Sequence, residues 1–201
     1  MNKIPIKTVF LDMDGVLTNF RKGVYKAFNI PYDFTKENPN YEFWESWGKG
    51  ATWKHVHEVC NSIEFWANLE WMPDGLEIYS IIRDKFETEQ IYLLTNPLAG
   101  GDLTSAGKMK WIKKHLPDFY RHTIITASSK GLLAKPGTLL IDDHDKNVNE
   151  FKEAGGSAIL VPQPWNKADA FADLSLEIVN LSLRHFTTER KTDGKISTQQ
   201  D

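Results

Sequence analysis

The chain has 201 residues, 41% hydrophobic and 25% charged, which suits one α/β domain with an elaboration and excludes a wholly disordered chain. A net charge of -3 gives no basic stripe for long nucleic acid, and the single cysteine, Cys60, excludes an intrachain disulfide and a thiolate metal site. The opening Met1-Asn2-Lys3-Ile4-Pro5 has neither an apolar h-region nor a small-residue cleavage site. No window approaches the roughly 18 uninterrupted apolar residues of a membrane span, so a soluble cytoplasmic protein without a membrane partner is expected.

Lys7 to Leu11 reads as a short buried strand, and Asp12-Met13-Asp14-Gly15 must then turn, because Asp-Gly is strong turn chemistry. From Thr18 to Pro73 no clean β run follows, and aromatic residues crowd in; helices are expected near Gly23–Phe28 and Phe43–Cys60, with Pro31 and Pro39 breaking the stretch between. Alternation then resumes. A helix from Asp74 to Phe86 leads to a strand from Gln90 to Leu94, then a helix from Ser105 to Leu116 stopped by Pro117. Short strands are expected at Thr123–Thr126 and Gly137–Ile141. A helix from Val148 to Ala154 closes on Gly155-Gly156, a last strand covers Ser157–Val161, and Ala168–Leu183 is helical. From Thr187 on the chain is polar and reads as a flexible tail. Strands alternating with helices imply a mostly parallel sheet covered on both faces. The expected organisation is a core of residues 1–17 and 74–186, a helical cap of 18–73 placed after the first strand, and a tail of 187–201.

Three apolar runs end in oxygen-bearing side chains: Val9-Phe10-Leu11 in Asp12 and Asp14, Tyr92-Leu93-Leu94 in Thr95 and Asn96, and Leu139-Leu140-Ile141 in Asp142 and Asp143. Ligands bind at the carboxyl ends of parallel strands, so these groups are expected to meet. Carboxylates so close cannot all stay ionised without a cation, and an all-oxygen set suits Mg²⁺ better than zinc. Mg²⁺ commonly shares its shell with substrate phosphate, which itself needs donors and positive charge. Thr95, the turn at Asn96, and Lys108 at the start of the next helix can supply these; Lys130 and Lys135 compete for a further place, with Lys130 preferred.

These residues resemble the motifs of haloacid dehalogenase-type phosphatases. Asp12-Met13-Asp14-Gly15-Val16-Leu17 looks like the first motif, Leu94-Thr95-Asn96 the second, Lys108 the third and Leu140-Ile141-Asp142-Asp143 the fourth. The resemblance covers nearly all of the chain except the tail and implies a Rossmann-like parallel sheet with helices on both faces and a small helical cap. Within that superfamily the chain is most similar to the 5′(3′)-deoxyribonucleotidases and their phage and bacterial relatives. The residues that carry this are Asp12 through Phe20, Phe43-Trp44, Phe65-Trp66-Ala67-Asn68-Leu69-Glu70 ahead of Pro73-Asp74-Gly75, and Leu139 through Asp143. His144 stands where many relatives carry Arg, and Asn96 where many carry Ser.

The resemblance implies a Mg²⁺-dependent phosphatase acting on nucleoside monophosphates. Asp12 would be the nucleophile and Asp14 the general acid and base. Asp12, the Asp14 carbonyl, Asp142 and Asp143 would form the metal site, and Thr95, Asn96, Lys108 and Lys130 would bind phosphate. Phe20, Phe43, Trp44 and Trp66 would enclose the base. Another small phosphomonoester, such as a sugar phosphate or a 3′-phosphate end, is the alternative substrate, and a non-catalytic nucleotide-binding module the alternative class. A homodimer is compatible with this reading. Trp47, Trp53, Trp71, Trp111 and Trp165 are expected to pack, His55 and His57 to lie on the surface, and Cys60 to be buried and inert.

Overall fold

The structure, a computed structural model, describes residues 4–47, 52–99 and 101–187. Five strands, β1 (Thr8–Leu11), β2 (Ile91–Thr95), β3 (Thr123–Ile125), β4 (Thr138–Asp142) and β5 (Ser157–Leu160), form one sheet in the order β3-β2-β1-β4-β5. Every pairing is parallel. The register sets Leu11 against Leu93 and Ile141, so β1, β2 and β4 end level with one another.

Alternation along the strands buries both faces. Val9, Leu11, Ile91, Leu93, Leu139, Ile141 and Ile159 enter the larger apolar cluster, together with Ile78 and Ile82 of α4 (Gly75–Arg83), Trp111 and Ile112 of α5 (Thr104–His115), and Val179 and Leu183 of α7 (Ser175–Arg184). Phe10, Leu94, Leu140 and Ala158 face the other way, onto Val148 and Phe151 of α6 (Asp145–Glu153). The expected parallel sheet with helices on both faces is the architecture present.

Between β1 and α4 lie α1 (Phe20–Ala27), α2 (Trp53–Cys60) and α3 (Ile63–Ala67), with 3₁₀ turns at Phe34–Lys36 and Phe43–Trp47. The ends of this insertion are tied together, since Asn19 N–H donates to the Glu70 carbonyl (2.8 Å) and Met72 N–H to the Leu17 carbonyl (2.8 Å). Its buried Val24, Phe43, Trp44, Val56, Cys60 and Trp66 belong to the same apolar cluster as the sheet.

Several boundaries differ from the sequence reading. The helix expected over Phe43–Cys60 is a 3₁₀ turn and then α2; residues 48–51, with Gly48 and Gly50, lie outside the described residues. The first half of the helix expected over Ala168–Leu183 is a 3₁₀ segment, Asp169–Leu174. Helix α1 starts at Phe20 because Asn19 caps it, its side chain accepting from Lys22 N–H at 2.9 Å. Helix α6 starts at Asp145 because His144 does the same for Lys146 N–H at 3.2 Å. Apart from Thr187, the expected tail lies outside the described residues.

Helix α3 lies directly on α5, and Gly107 is the residue that permits it. A Cβ there would sit 2.6 Å from Trp66 Cβ and 2.7 Å from the Ile63 carbonyl oxygen. Gly107→Ala is therefore expected to destabilise by about 1–3 kcal/mol, outweighing the roughly 1 kcal/mol helix-propensity gain. The check is a urea titration, where the midpoint should fall at unchanged slope.

Candidate active site

The level ends of β1, β2 and β4 bring together the groups that the strand pattern placed there. After β1 the chain turns tightly, with the Met13 carbonyl accepting from Leu17 N–H and Thr18 N–H, both at 2.7 Å. This directs Asp12 and Asp14 over the sheet edge. Asp12, Asp142 and Asp143 are all buried, and one carboxylate oxygen from each lies within 4.8 Å of those of the other two. Asp14 is outside this triad. Its Oδ1 accepts from the Thr18 hydroxyl (2.8 Å) and its Oδ2 from Lys108 Nζ (2.6 Å).

Two buried lysines face these acids. Lys130 Nζ donates to Asp12 Oδ1 (2.6 Å) and Asp142 Oδ2 (2.7 Å). Burial acts to lower its pKa, but the charges of Asp12 and Asp142 more than reverse that and hold it raised. Lys135 instead lies exposed on a turn. Lys108 Nζ donates to Asp14 Oδ2, Thr95 Oγ1 (2.7 Å) and the Asn96 carbonyl (2.6 Å), which uses all three of its N–H groups. The Trp66 ring lies 4.9 Å from the same nitrogen.

The triad carries more negative charge than the protein offsets. Burial pushes the Asp12 carboxyl up to about 7; Lys130 opposes this, while Asp142 and Asp14 add to it. Asp143 is raised well above the usual carboxylate range by burial, then by Asp142 and Asp12. A compact, buried, all-oxygen set under such strain fits a hard divalent cation.

The site opens into a cavity of about 450 Å³. Its floor includes Asp12, Asp14, Thr95, Lys130 and Asp143, and its walls include Phe20, Tyr41, Phe43, Trp44, Trp53 and Trp66. Phe20 stacks on Trp66 at 5.3 Å between ring centroids and 11° between planes. Phe43 is stacked with Tyr25, lies under the Arg21 guanidinium and is only 1% exposed, so it supports the wall more than it meets the cavity. Trp53, expected to pack, is 39% exposed at the cavity wall, against Trp44.

Asn96 also differs from expectation. Its side-chain amide donates to the carbonyls of Thr126 (2.6 Å) and Ser128 (3.3 Å), tying the β2 turn to the loop after β3. These N–H groups are thus already committed.

The loop after β5 was missed in the sequence. Gln163 Nε2 donates to the Gly15 carbonyl (2.9 Å), Asn166 Nδ2 to the Asp143 carbonyl (2.8 Å), and Trp165 Nε1 to Asp143 Oδ2 (2.6 Å). Trp165 therefore does more than pack. The available signal was positional: Val161-Pro162-Gln163-Pro164-Trp165-Asn166 follows a strand at the same sheet edge. Arg21, buried between the Trp165 and Phe43 rings, was likewise not singled out.

The profile of the family described as 5′ nucleotidase, deoxy (Pyrimidine), cytosolic type C protein matches residues 5–173. The chain belongs to this family. It is accordingly a phosphoric monoester hydrolase of the 5′-nucleotidase type. It is 29% identical over 148 residues to the human cytosolic-type 5′(3′)-deoxyribonucleotidase, covering 68% of this chain and 70% of that one. To the mouse mitochondrial 5′(3′)-deoxyribonucleotidase it is 26% identical over 144 residues, covering 67% of this chain and 63% of the relative. A HAD family hydrolase from Deinococcus radiodurans with bound phosphate and sodium superposes with a TM-score of 0.49 at 15% identity, covering 92% of this chain and 97% of that chain.

Lys130 is the fixed cation that meets two members of the triad. Lys130→Met, in EDTA at neutral pH, is expected to cost about 3–5 kcal/mol, because it leaves buried carboxylates without their partner. A urea titration beside the native chain measures this; a loss below about 1 kcal/mol would show that the lysine does not offset the triad.

Proposed function

We propose that the chain is a Mg²⁺-dependent 5′(3′)-deoxyribonucleotidase that hydrolyses nucleoside monophosphates through an aspartyl-phosphate on Asp12. The observation that carries this reading is the pairing of a buried, lysine-held carboxylate with an aromatic-walled cavity of about 450 Å³, which suits a small ligand with an anionic end and a flat end. The likeness to relatives named as 5′(3′)-deoxyribonucleotidases supports the substrate class, and one of them is the cytosolic type, in keeping with a cytoplasmic setting.

In the first step an Asp12 carboxylate oxygen attacks phosphorus and the bond to the nucleoside oxygen breaks, with Asp14 giving that oxygen a proton. In the second step Asp14 takes a proton from the water that attacks the aspartyl-phosphate, and inorganic phosphate leaves. Asp12, Asp142, Asp143 and the Asp14 carbonyl are the groups that would hold Mg²⁺. Bound there, it supplies charge that offsets the repulsion between the carboxylates and the phosphate.

Lys108 couples phosphate binding to Asp14. Its three N–H groups are spent on Asp14, Thr95 and the Asn96 carbonyl, so a phosphate oxygen has to replace one of them. Exchange at Asp14 frees Oδ2 to carry the proton. Lys130 orients Asp12 through Oδ1. Thr95 and the turn at Asn96 complete the phosphate end. Phe20 and Trp53, which keep surface toward the cavity, form the nucleoside end, with the largely covered Trp44, Trp66 and Phe43 bracing them.

Phosphate release from dUMP, dTMP, dGMP, UMP and a sugar phosphate, with Mg²⁺ and with EDTA, tests the substrate class. Mg²⁺-dependent release that favours the deoxynucleotides is expected, and a preference for the sugar phosphate would overturn it. Asp12→Asn is expected to lower the rate on the order of 10⁴-fold or more.

Asp14→Asn separates the two steps. With p-nitrophenyl phosphate, whose leaving group needs no proton, a rapid burst of about one equivalent of p-nitrophenol per chain is expected, followed by a turnover slowed about 10²- to 10⁴-fold. Slow release without a burst would argue against the covalent intermediate.

A further inference from the structure

The least expected contact in the site is the one between Asp143 and Trp165. Asp143 Oδ2 accepts the indole N–H at 2.6 Å. The same oxygen lies 2.2 Å from where a Cβ on Gly15 would be, so it is packed against backbone on another side. One carboxylate oxygen of Asp143 is thereby pinned, which fixes how the other is presented.

The indole is itself held. The Arg21 guanidinium lies 4.2 Å from the Trp165 ring and 4.5 Å from the Phe43 ring. Its N–H groups donate to the carbonyls of Asn38 and Asn40, both at 2.8 Å, and to Glu37 Oε1 at 3.1 Å. Arg21 is buried, and these donors reach only the insertion's own segment 37–40. A planar cation clamped by a loop thus presses on the ring that donates to Asp143.

We infer that Trp165 and Arg21 are positioning residues for Asp143: Trp165 orients the carboxylate, and Arg21 transmits the order of segment 37–43 to it. Affinity for the divalent cation then depends on the insertion as well as on the acidic triad. The inference rests on the metal reading proposed above.

The experiment is calorimetric titration of Mg²⁺ into the substrate-free chain, with a urea titration in EDTA for each variant. Trp165→Phe keeps a ring beneath Arg21 and removes the N–H. It is expected to raise the Mg²⁺ dissociation constant about 10- to 100-fold, as loss of a partner that orients a metal ligand does. Arg21→Met is expected to raise it in the same direction, and the double variant by less than the product of the two single effects.

A merely structural role would shift the urea midpoint and leave Mg²⁺ affinity unchanged. A change below threefold in Trp165→Phe therefore overturns the inference, and independent, multiplicative effects overturn the part given to Arg21. Should Trp165→Phe not fold, Arg21→Met decides alone, with an unchanged dissociation constant counting against the inference. A native chain that binds no Mg²⁺ overturns the metal reading along with it; native binding left intact in the variants overturns this inference alone.

Discussion

Three buried carboxylates whose oxygens fall within 4.8 Å of one another are costly to fold around, and much of the surrounding structure compensates for them. Asp12 and Asp142 share the Lys130 ammonium. Asp142 also accepts from the His144 N–H (2.8 Å) and from the Asn147 amide. Asp143 has the Trp165 indole. These partners come from the 3₁₀ turn at Lys130–Leu133, the start of α6 and the loop after β5, so the triad draws separate parts of the chain to one edge of the sheet.

The parallel sheet makes this convergence unavoidable. With β1 central and β2 and β4 in register beside it, the residues that follow each strand emerge at the same edge. The insertion leaves from that edge and returns to it, tied at Leu17–Asn19 and Glu70–Met72, which explains how an aromatic wall comes to stand over the acids. Because its buried residues share one apolar cluster with the sheet, and α3 seats on α5 at Gly107, the wall is continuous with the scaffold.

What could be read in the sequence divides along physical lines. Short apolar runs ending in Asp, Thr or Asn located β1, β2, β4 and the groups at their ends, because a strand's direction fixes where its last residue goes. Of the two lysines weighed for the phosphate, Lys130 is buried beside the acids and Lys135 is exposed. The partners of these groups were not legible. The place of Trp165 after β5 hints at the sheet edge but not at its partner: the Trp165 and Trp111 indole N–H groups are both buried and bonded, one to a carboxylate of the triad and one to the Leu69 carbonyl. The difference lies in what tertiary packing brings beside each ring. Asn96 shows the same point, since its amide is committed to carbonyls of a loop some thirty residues on.

The insertion shows why aromatic content alone misleads about ligand contact. Rings in this segment satisfy one another first: Tyr25 on Phe43, Phe20 on Trp66, Trp44 on Trp53. A ring whose faces are already covered contributes rigidity, and only one with a face left open can take a flat ligand. By that criterion Phe43 braces the wall, while Phe20 and Trp53 keep surface toward the cavity. Arg21 follows the same logic in charged form. Placed between Phe43 and Trp165 with its N–H groups turned to backbone carbonyls, it stiffens the wall without adding an uncompensated charge beside the acids, because Glu37 lies 3.1 Å away. Specificity for the flat end of a ligand then resides in the few rings that the packing leaves exposed, and the many rings beneath them set how rigidly those few are held.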